Sequence, residues 1–204
     1  MLKAAIDIGS NSVRLLVADV NGDEFKPLFK RINTTRLHEG LSENGMLFGE
    51  PAQRTRAAIA DFARQARDAG VSGENIRAFA TSAVRDAENG GDFIKDVRGE
   101  CGVNIRLLTG QQEARFAFFA AALPGGECGV IDIGGASTEM ICGSGADVRA
   151  AYSAQMGAVR LRKMLGGDNS VERMLETSAQ VLRPGIDAVS PLPNKFVGVA
   201  GKSG

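Results

Sequence analysis

One heptapeptide occurs twice in this chain. Ile6-Asp7-Ile8-Gly9-Ser10-Asn11-Ser12 returns as Ile131-Asp132-Ile133-Gly134-Gly135-Ala136-Ser137, 125 residues later, with five of seven positions identical. A period near domain size predicts two lobes built on one plan rather than a short-repeat array. Each copy sits between two apolar stretches. In the first, Val13, Leu15 and Val17 alternate with Arg14, Leu16 and Ala18, so residues 3–20 read as two strands joined by a Gly-Ser-Asn-Ser turn. In the second, residues 129–142 read the same way.

Between the copies the pattern alternates. A third strand is predicted over 25–29 after the Asn21-Gly22 turn signal, then a loop over 33–49. A helix follows over 50–69, with Ile59, Phe62, Ala63 and Ala66 on one face and Gly70 after its end. Strands at 76–80 and 104–108 flank a short polar helix after Ser82 and a helix at 92–100. An apolar helix follows over 111–122, with Phe116 and Phe119 expected on its buried face. This strand–helix alternation predicts α/β architecture. Pro124-Gly125-Gly126 marks the boundary, giving lobes 1–122 and 123–204. Beyond the second hairpin, a strand at 148–153, a helix from the N-cap Ser170 to Leu182 closed by Pro184-Gly185, and a strand at 196–200 complete the reading.

Composition narrows the function. Lys plus Arg and Asp plus Glu each total 24, so no bulk basic field exists for nucleic acid or an acidic membrane. A single His, His38, rules out a His-rich zinc site and leaves little for a Ser-His-Asp triad. Three Cys without CxxC spacing fit small buried side chains in a reducing compartment. The apolar run 116–123 is too short to cross a bilayer, and the N-terminus lacks a signal-peptide shape. The expected location is the cytoplasm.

The repeated motif carries its own chemistry. A strand ending in Asp puts a carboxylate at the mouth of a tight turn, where Gly admits close backbone approach. Ser and Asn side chains with turn N–H groups can cradle phosphate oxygens, and Asp can hold Mg²⁺ or a metal-bound water. One copy alone reads as an ordinary strand end; two copies point to a pair of phosphate-binding turns. The motif is not a dinucleotide fingerprint, since GxGxxG is absent and a strand follows. Gly201-Lys202-Ser203 resembles the end of a P-loop, but Phe196 stands where that pattern needs Gly, and it is read as chance.

The segments AAIDIGSNSVRLLV (4–17), RLHEGL (36–41), ATSAVRDA (80–87), LTGQQEARFAF (108–118), GVIDIGGASTEM (129–140) and MGAVRL (156–161) together resemble the exopolyphosphatase and guanosine pentaphosphate phosphohydrolase family, within the actin, sugar kinase and heat-shock ATPase superfamily. The resemblance implies two ribonuclease-H-like lobes, the second incomplete, with Mg²⁺ and a phosphate chain held in a cleft between them. It implies a Mg²⁺-dependent hydrolase releasing terminal phosphate from polyphosphate, or alternatively from guanosine pentaphosphate. A third alternative is a fragment that binds either without turnover. It further implies Glu113 as the general base that orients water, Asp132 as the Mg²⁺ ligand and Glu139 near the same metal. Asp7, Gly9, Ser10, Asn11 and Ser12 match the first phosphate loop; Gly134, Gly135, Ala136 and Ser137 match the second. Arg85 resembles a phosphate-binding arginine, and a homodimer is compatible with the family.

The chain departs from the family at His38, where Gly is usual and no role is assigned. It departs again at Ala136, which replaces a Gly and would fit a positive φ poorly. The second lobe is shorter than the family's, so the sequence reads as a fragment.

Overall fold

The computed structural model describes residues 1–41, 45–122, 126–168 and 170–200. Pro124, Gly125 and the tripeptide Gly201-Lys202-Ser203 therefore lie outside the described residues. The chain divides into two compact units, Met1–Leu108 and Thr109–Gly204.

The first unit is built on a five-stranded sheet. Strands β1 (Leu2–Ile8), β2 (Val13–Asn21) and β3 (Glu24–Asn33) form an antiparallel meander. β4 (Ile76–Ala80) and β5 (Ile105–Leu107) extend it in parallel, in the order β3-β2-β1-β4-β5. Alternation sets one apolar face: Ala4, Ile6, Ile8, Val13, Leu15 and Val17 are all buried. Helix α1 (Gly49–Asp68) lays Ala58, Ile59, Phe62, Ala63 and Ala66 into the same core. α2 (Ser82–Arg85) and α3 (Gly90–Cys101) complete this unit. β3 runs longer than its sequence pattern predicted, and it carries Pro27. As an edge strand it can spare that N–H, and the register shifts opposite it between Val17 and Ala18.

The second unit repeats the plan. β6 (Glu127–Ile133), β7 (Thr138–Ser144) and β8 (Asp147–Ala154) form the meander, and β9 (Phe196–Ala200) lies parallel to β6. The order β8-β7-β6-β9 is third-second-first-fourth, as in the first sheet. Helix α4 (Gly110–Ala121) covers one face with Ala114 and Phe118, against Val130 and Ile141. Helix α6 (Val171–Val189) covers the other, where Val189 packs with Met140, Cys142 and Ala154. A short helix, α5 (Ala158–Met164), had no counterpart in the sequence reading.

Three expectations meet a different arrangement. The compact units part between Leu108 and Thr109, ahead of the boundary expected at 122/123, because α4 packs on the second sheet. Phe116 and Phe119 do not form the buried face of α4. Each is 49% exposed, whereas Ala114 and Phe118 are fully buried, one turn apart at i, i+4. Small alanines face the sheet, where close approach is needed. Finally, Pro184-Gly185 does not end α6, which continues to Val189 with Pro184 inside it. Gly185 serves packing instead: a Cβ there would lie 2.0 Å from Met140 Cε and 2.7 Å from Tyr152 Cδ1.

Among the described residues no helix is long and apolar enough to cross a membrane. All three cysteines are free, with Cys128 and Cys142 buried.

Candidate active site

Both copies of the repeated motif form the same hairpin turn. Gly9 N–H donates to Ser12 O at 3.0 Å, and Gly134 N–H donates to Ser137 O at 3.0 Å. A Cβ on Gly9 would meet Ser12 O at 3.2 Å, and one on Gly134 would meet Ser137 O at the same 3.2 Å. Glycine is required here by closeness and not by a left-handed backbone. The concern over Ala136 is removed for the same reason, since Arg36 is the one non-glycine residue at positive φ among those described.

Each turn is braced through its carbonyl oxygens. On the first, Arg36 N–H donates to Asn11 O (2.9 Å) and His38 N–H to Ser10 O (3.0 Å). On the second, Ala158 N–H donates to Gly134 O (2.9 Å), while Val159 and Arg160 N–H donate to Gly135 O at 2.9 and 3.2 Å. Gly157 makes the second brace possible, because a Cβ there would lie 2.5 Å from Gly134 O. None of these bracing bonds uses an N–H of either turn. Ser10, Ser12 and Ser137 are buried beside them.

In the first unit, Asp7 is exposed and pairs in register with Arg14 on β2 and Phe79 on β4. It lines a groove of about 510 Å³ with Arg14, Lys30 and Arg31. Arg85 ends α2. Its Nη1 donates to Leu108 O at 3.0 Å and its Nε to an Asp86 carboxylate oxygen at 3.3 Å, so it also ties α2 to the end of β5.

The second unit gathers the remaining carboxylates. Asp132 on β6 stands opposite Glu139 on β7, which stands opposite Ser153 on β8. Residues directly opposite share a face, and this row continues the Val130–Ile141–Ala151 row that packs under α4. Glu139 is 1% exposed and accepts a hydrogen bond from Ser153 Oγ at 2.7 Å. Gly110 opens α4 directly on Ser153: a Cβ at 110 would lie 2.7 Å from Ser153 Cβ. The first turn of α4, which carries half-buried Glu113, therefore begins at this row.

A capping box fixes that helix start. Thr109 Oγ1 accepts from Gln112 N–H (3.2 Å), and Gln112 Oε1 accepts from Thr109 N–H (3.1 Å). The sequence reading missed Ser153 and this box, and it noted His38 without assigning it a role. The Thr-x-x-Gln spacing carried a usable signal for the box; Ser153 carried none without the cross-strand register.

The carboxylate row bears on the choice of metal. Among the described residues no three His, Cys, Asp or Glu side chains group around a point. Asp132 and Glu139 are the carboxylates of this row that could meet a cation, and Mg²⁺ is an ion commonly held by one or two carboxylates with water and substrate oxygens. Like charges directly opposite on a sheet repel, and a cation offsets that repulsion. The equivalent pair in the first unit, Asp7 and Arg14, is already of opposite sign.

Two lobes of one strand order, each opening on a glycine turn after a strand that ends in Asp, define an actin-like fold of ribonuclease-H-like lobes, the second with four strands among the described residues. A model of the Ppx/GppA phosphatase family matches residues 16–197, and the chain belongs to that family. It is 35% identical over 207 residues to exopolyphosphatase 1 of Mycobacterium tuberculosis, covering 98% of this chain and 58% of that protein. It is 38% identical over 159 residues to the guanosine-5'-triphosphate,3'-diphosphate pyrophosphatase of Aliivibrio fischeri, covering 76% of this chain and 32% of that protein. The crystal structure of the Aquifex aeolicus Ppx/GppA family member superposes with a TM-score of 0.81 at 30% identity, covering 98% of this chain and 66% of that one. The chain thus spans little more than half the length of the curated exopolyphosphatase it matches.

Proposed function

We propose that this chain is a Mg²⁺-dependent phosphohydrolase that removes the terminal phosphate from inorganic polyphosphate. The observation that carries this reading is the Asp132–Glu139–Ser153 row, with α4 opening on it at Gly110, one turn before Glu113. Phosphoryl transfer asks a protein for positioning and charge neutralisation more than for covalent chemistry. Glu113 orients the attacking water and takes its proton. The turns Gly9–Ser12 and Gly134–Ser137 hold phosphate oxygens with N–H and hydroxyl donors, and Arg85 adds a fixed cation. Asp132 and Glu139 would hold Mg²⁺, which supplies charge neutralisation at the phosphate when bound. Ser153 keeps the Glu139 carboxylate in one orientation. The relative named exopolyphosphatase, at 35% identity, supports this substrate.

The 38% identity to a guanosine pentaphosphate-type pyrophosphatase favours a second substrate, the nucleotide carrying a 5'-triphosphate. The chemistry at the terminal phosphorus is the same for both. The enzyme acts in the cytoplasm, without nucleic acid or membrane, and a homodimer is compatible with the family.

The test is phosphate release from long-chain polyphosphate and from guanosine pentaphosphate, with and without Mg²⁺, beside Glu113→Gln. Loss of a general base lowers the rate by about 100-fold or more. Wild-type-like release from Glu113→Gln rejects the assignment, and the ratio of the two substrates' kcat/KM decides between them.

A further inference from the structure

The brace on the first turn contains a side chain. His38 Nδ1 lies 3.0 Å from Ser10 O, the carbonyl that already accepts the His38 backbone N–H at 3.0 Å. A carbonyl only accepts, so Nδ1 carries the hydrogen. The equivalent carbonyl of the second turn, Gly135 O, also receives two donors, both from backbone: Val159 and Arg160 N–H. The imidazole supplies on the first turn what a helix start supplies on the second. The loop that delivers it passes through Arg36 at φ 50°, a left-handed conformation that non-glycine residues adopt rarely.

The consequence follows from the planar peptide. Ser10 C=O and Asn11 N–H belong to one rigid trans unit, so they point in opposite directions. Two donors on Ser10 O fix that plane and aim Asn11 N–H away from the brace. Hydrogen bonds in series also polarise one another, which strengthens the N–H as a donor.

We propose that His38 is a positioning residue for the turn Gly9–Ser12: its Nδ1–H, together with its own backbone N–H, orients the Ser10–Asn11 peptide so that Asn11 N–H can donate to a phosphate oxygen. This rests on the phosphohydrolase reading. His38 touches the turn and not the reacting atoms, so its loss weakens substrate binding while leaving the chemical step intact.

The test compares His38→Phe, which keeps a ring but no donor, with His38→Asn, whose amide N–H stands near the imidazole Nδ1 position. Polyphosphate hydrolysis with Mg²⁺ gives KM and kcat, and amide hydrogen exchange is followed in the same 204-residue proteins. Losing one hydrogen bond of ordinary strength raises KM about fivefold in His38→Phe with kcat within about twofold. His38→Asn keeps KM within about twofold of wild type. An unchanged KM in His38→Phe, or equal losses in both variants, overturns the proposal. If the wild-type chain neither cleaves nor binds polyphosphate, the phosphohydrolase reading falls and exchange still decides the brace. Faster exchange of the His38 amide in His38→Phe alone, with Ile6 and Ile8 amides unchanged, supports it. Equal exchange in all three proteins overturns it.

Discussion

Gly110 is the point where α4 meets the second sheet, and replacing it with Ala tests that junction. A Cβ at 110 would lie 2.7 Å from Ser153 Cβ and 2.9 Å from Ser153 Oγ. Carbon–carbon contacts are comfortable at about 3.5–4.0 Å, so α4 or β8 must yield by nearly 1 Å. Overpacking of this kind costs about 1–3 kcal/mol. Displacing Ser153 Oγ from Glu139 costs about 1 kcal/mol more. Better helix propensity returns at most about 1 kcal/mol. Gly110→Ala is therefore expected to destabilise the second unit by about 2 kcal/mol. In a Ser153→Gly background the opposing atoms are gone, and the same substitution becomes neutral or mildly stabilising. The double-mutant cycle should show a coupling of about 2 kcal/mol. The chain itself provides the probe, since it has no Trp and Tyr152 is its single Tyr, on β8 beside Ser153. Urea unfolding followed by Tyr152 fluorescence thus reports the second unit alone. Additivity within about 0.5 kcal/mol would refute the claim that the start of α4 rests on Ser153.

Pro184→Ala should stabilise the second unit by about 1–2 kcal/mol in the same Tyr152 assay. An interior helical proline costs about 3 kcal/mol, and its stiffening of the unfolded chain recovers up to about 1; no change would mean that the helix ends at the proline. Burial pushes the Cys142 thiol up from its ordinary value, so it stays protonated, and a disulfide reagent at mildly alkaline pH should titrate half-buried Cys101 first. Cys128 and Cys142 should react only on unfolding; fast reaction of all three in the native protein would contradict the packing beneath α4 and α6.

The hairpins were legible because their determinants are local. An alternating apolar strand, an Asp at its end and a Gly-initiated turn fix β1–β2 and β6–β7 within a few residues of the expected bounds. The α1 face was legible for the same reason, since Ile59, Phe62, Ala63 and Ala66 already carry the helical period. What failed depended on partners distant in sequence. Phe116 and Phe119 are two of the three phenylalanines of α4, but the sheet under the helix accepts only the third, Phe118, together with Ala114, Ala117 and Ala121. Pro184-Gly185 has the local chemistry of a helix stop. It is overruled because Gly185 lets α6 close onto Met140 and Tyr152, and Val189 is buried one turn further on. Among the candidate site residues, the two turns and their Asp7 and Asp132 were readable from the repeat, whereas Glu139 was named only through the family resemblance. Ser153 and His38 act through cross-strand and cross-loop contacts that no spacing records.

A duplicated plan distributes chemistry through its mismatches. Both lobes place an Asp at the penultimate position of the first strand, and both place one residue directly opposite it on the second strand. In the first lobe that residue is Arg14, of opposite charge to Asp7. In the second it is Glu139, deeply buried and held by Ser153, so two carboxylates stand in register. Burying an acid opposite another acid is unfavourable by itself, and the Ser153 hydroxyl offsets part of that cost by donating to Glu139. The same reasoning applies to the braces. On the second turn both donors to Gly135 O are backbone N–H groups, so any side chain but proline at 160 keeps them, whereas on the first, one of the two donors to Ser10 O is an imidazole. Substitution at Arg160 should therefore leave the second turn's brace in place, while substitution at His38 removes one of the two donors from Ser10 O. The mutational sensitivity of the two turns should differ accordingly, although their backbone hydrogen bonds close at the same length.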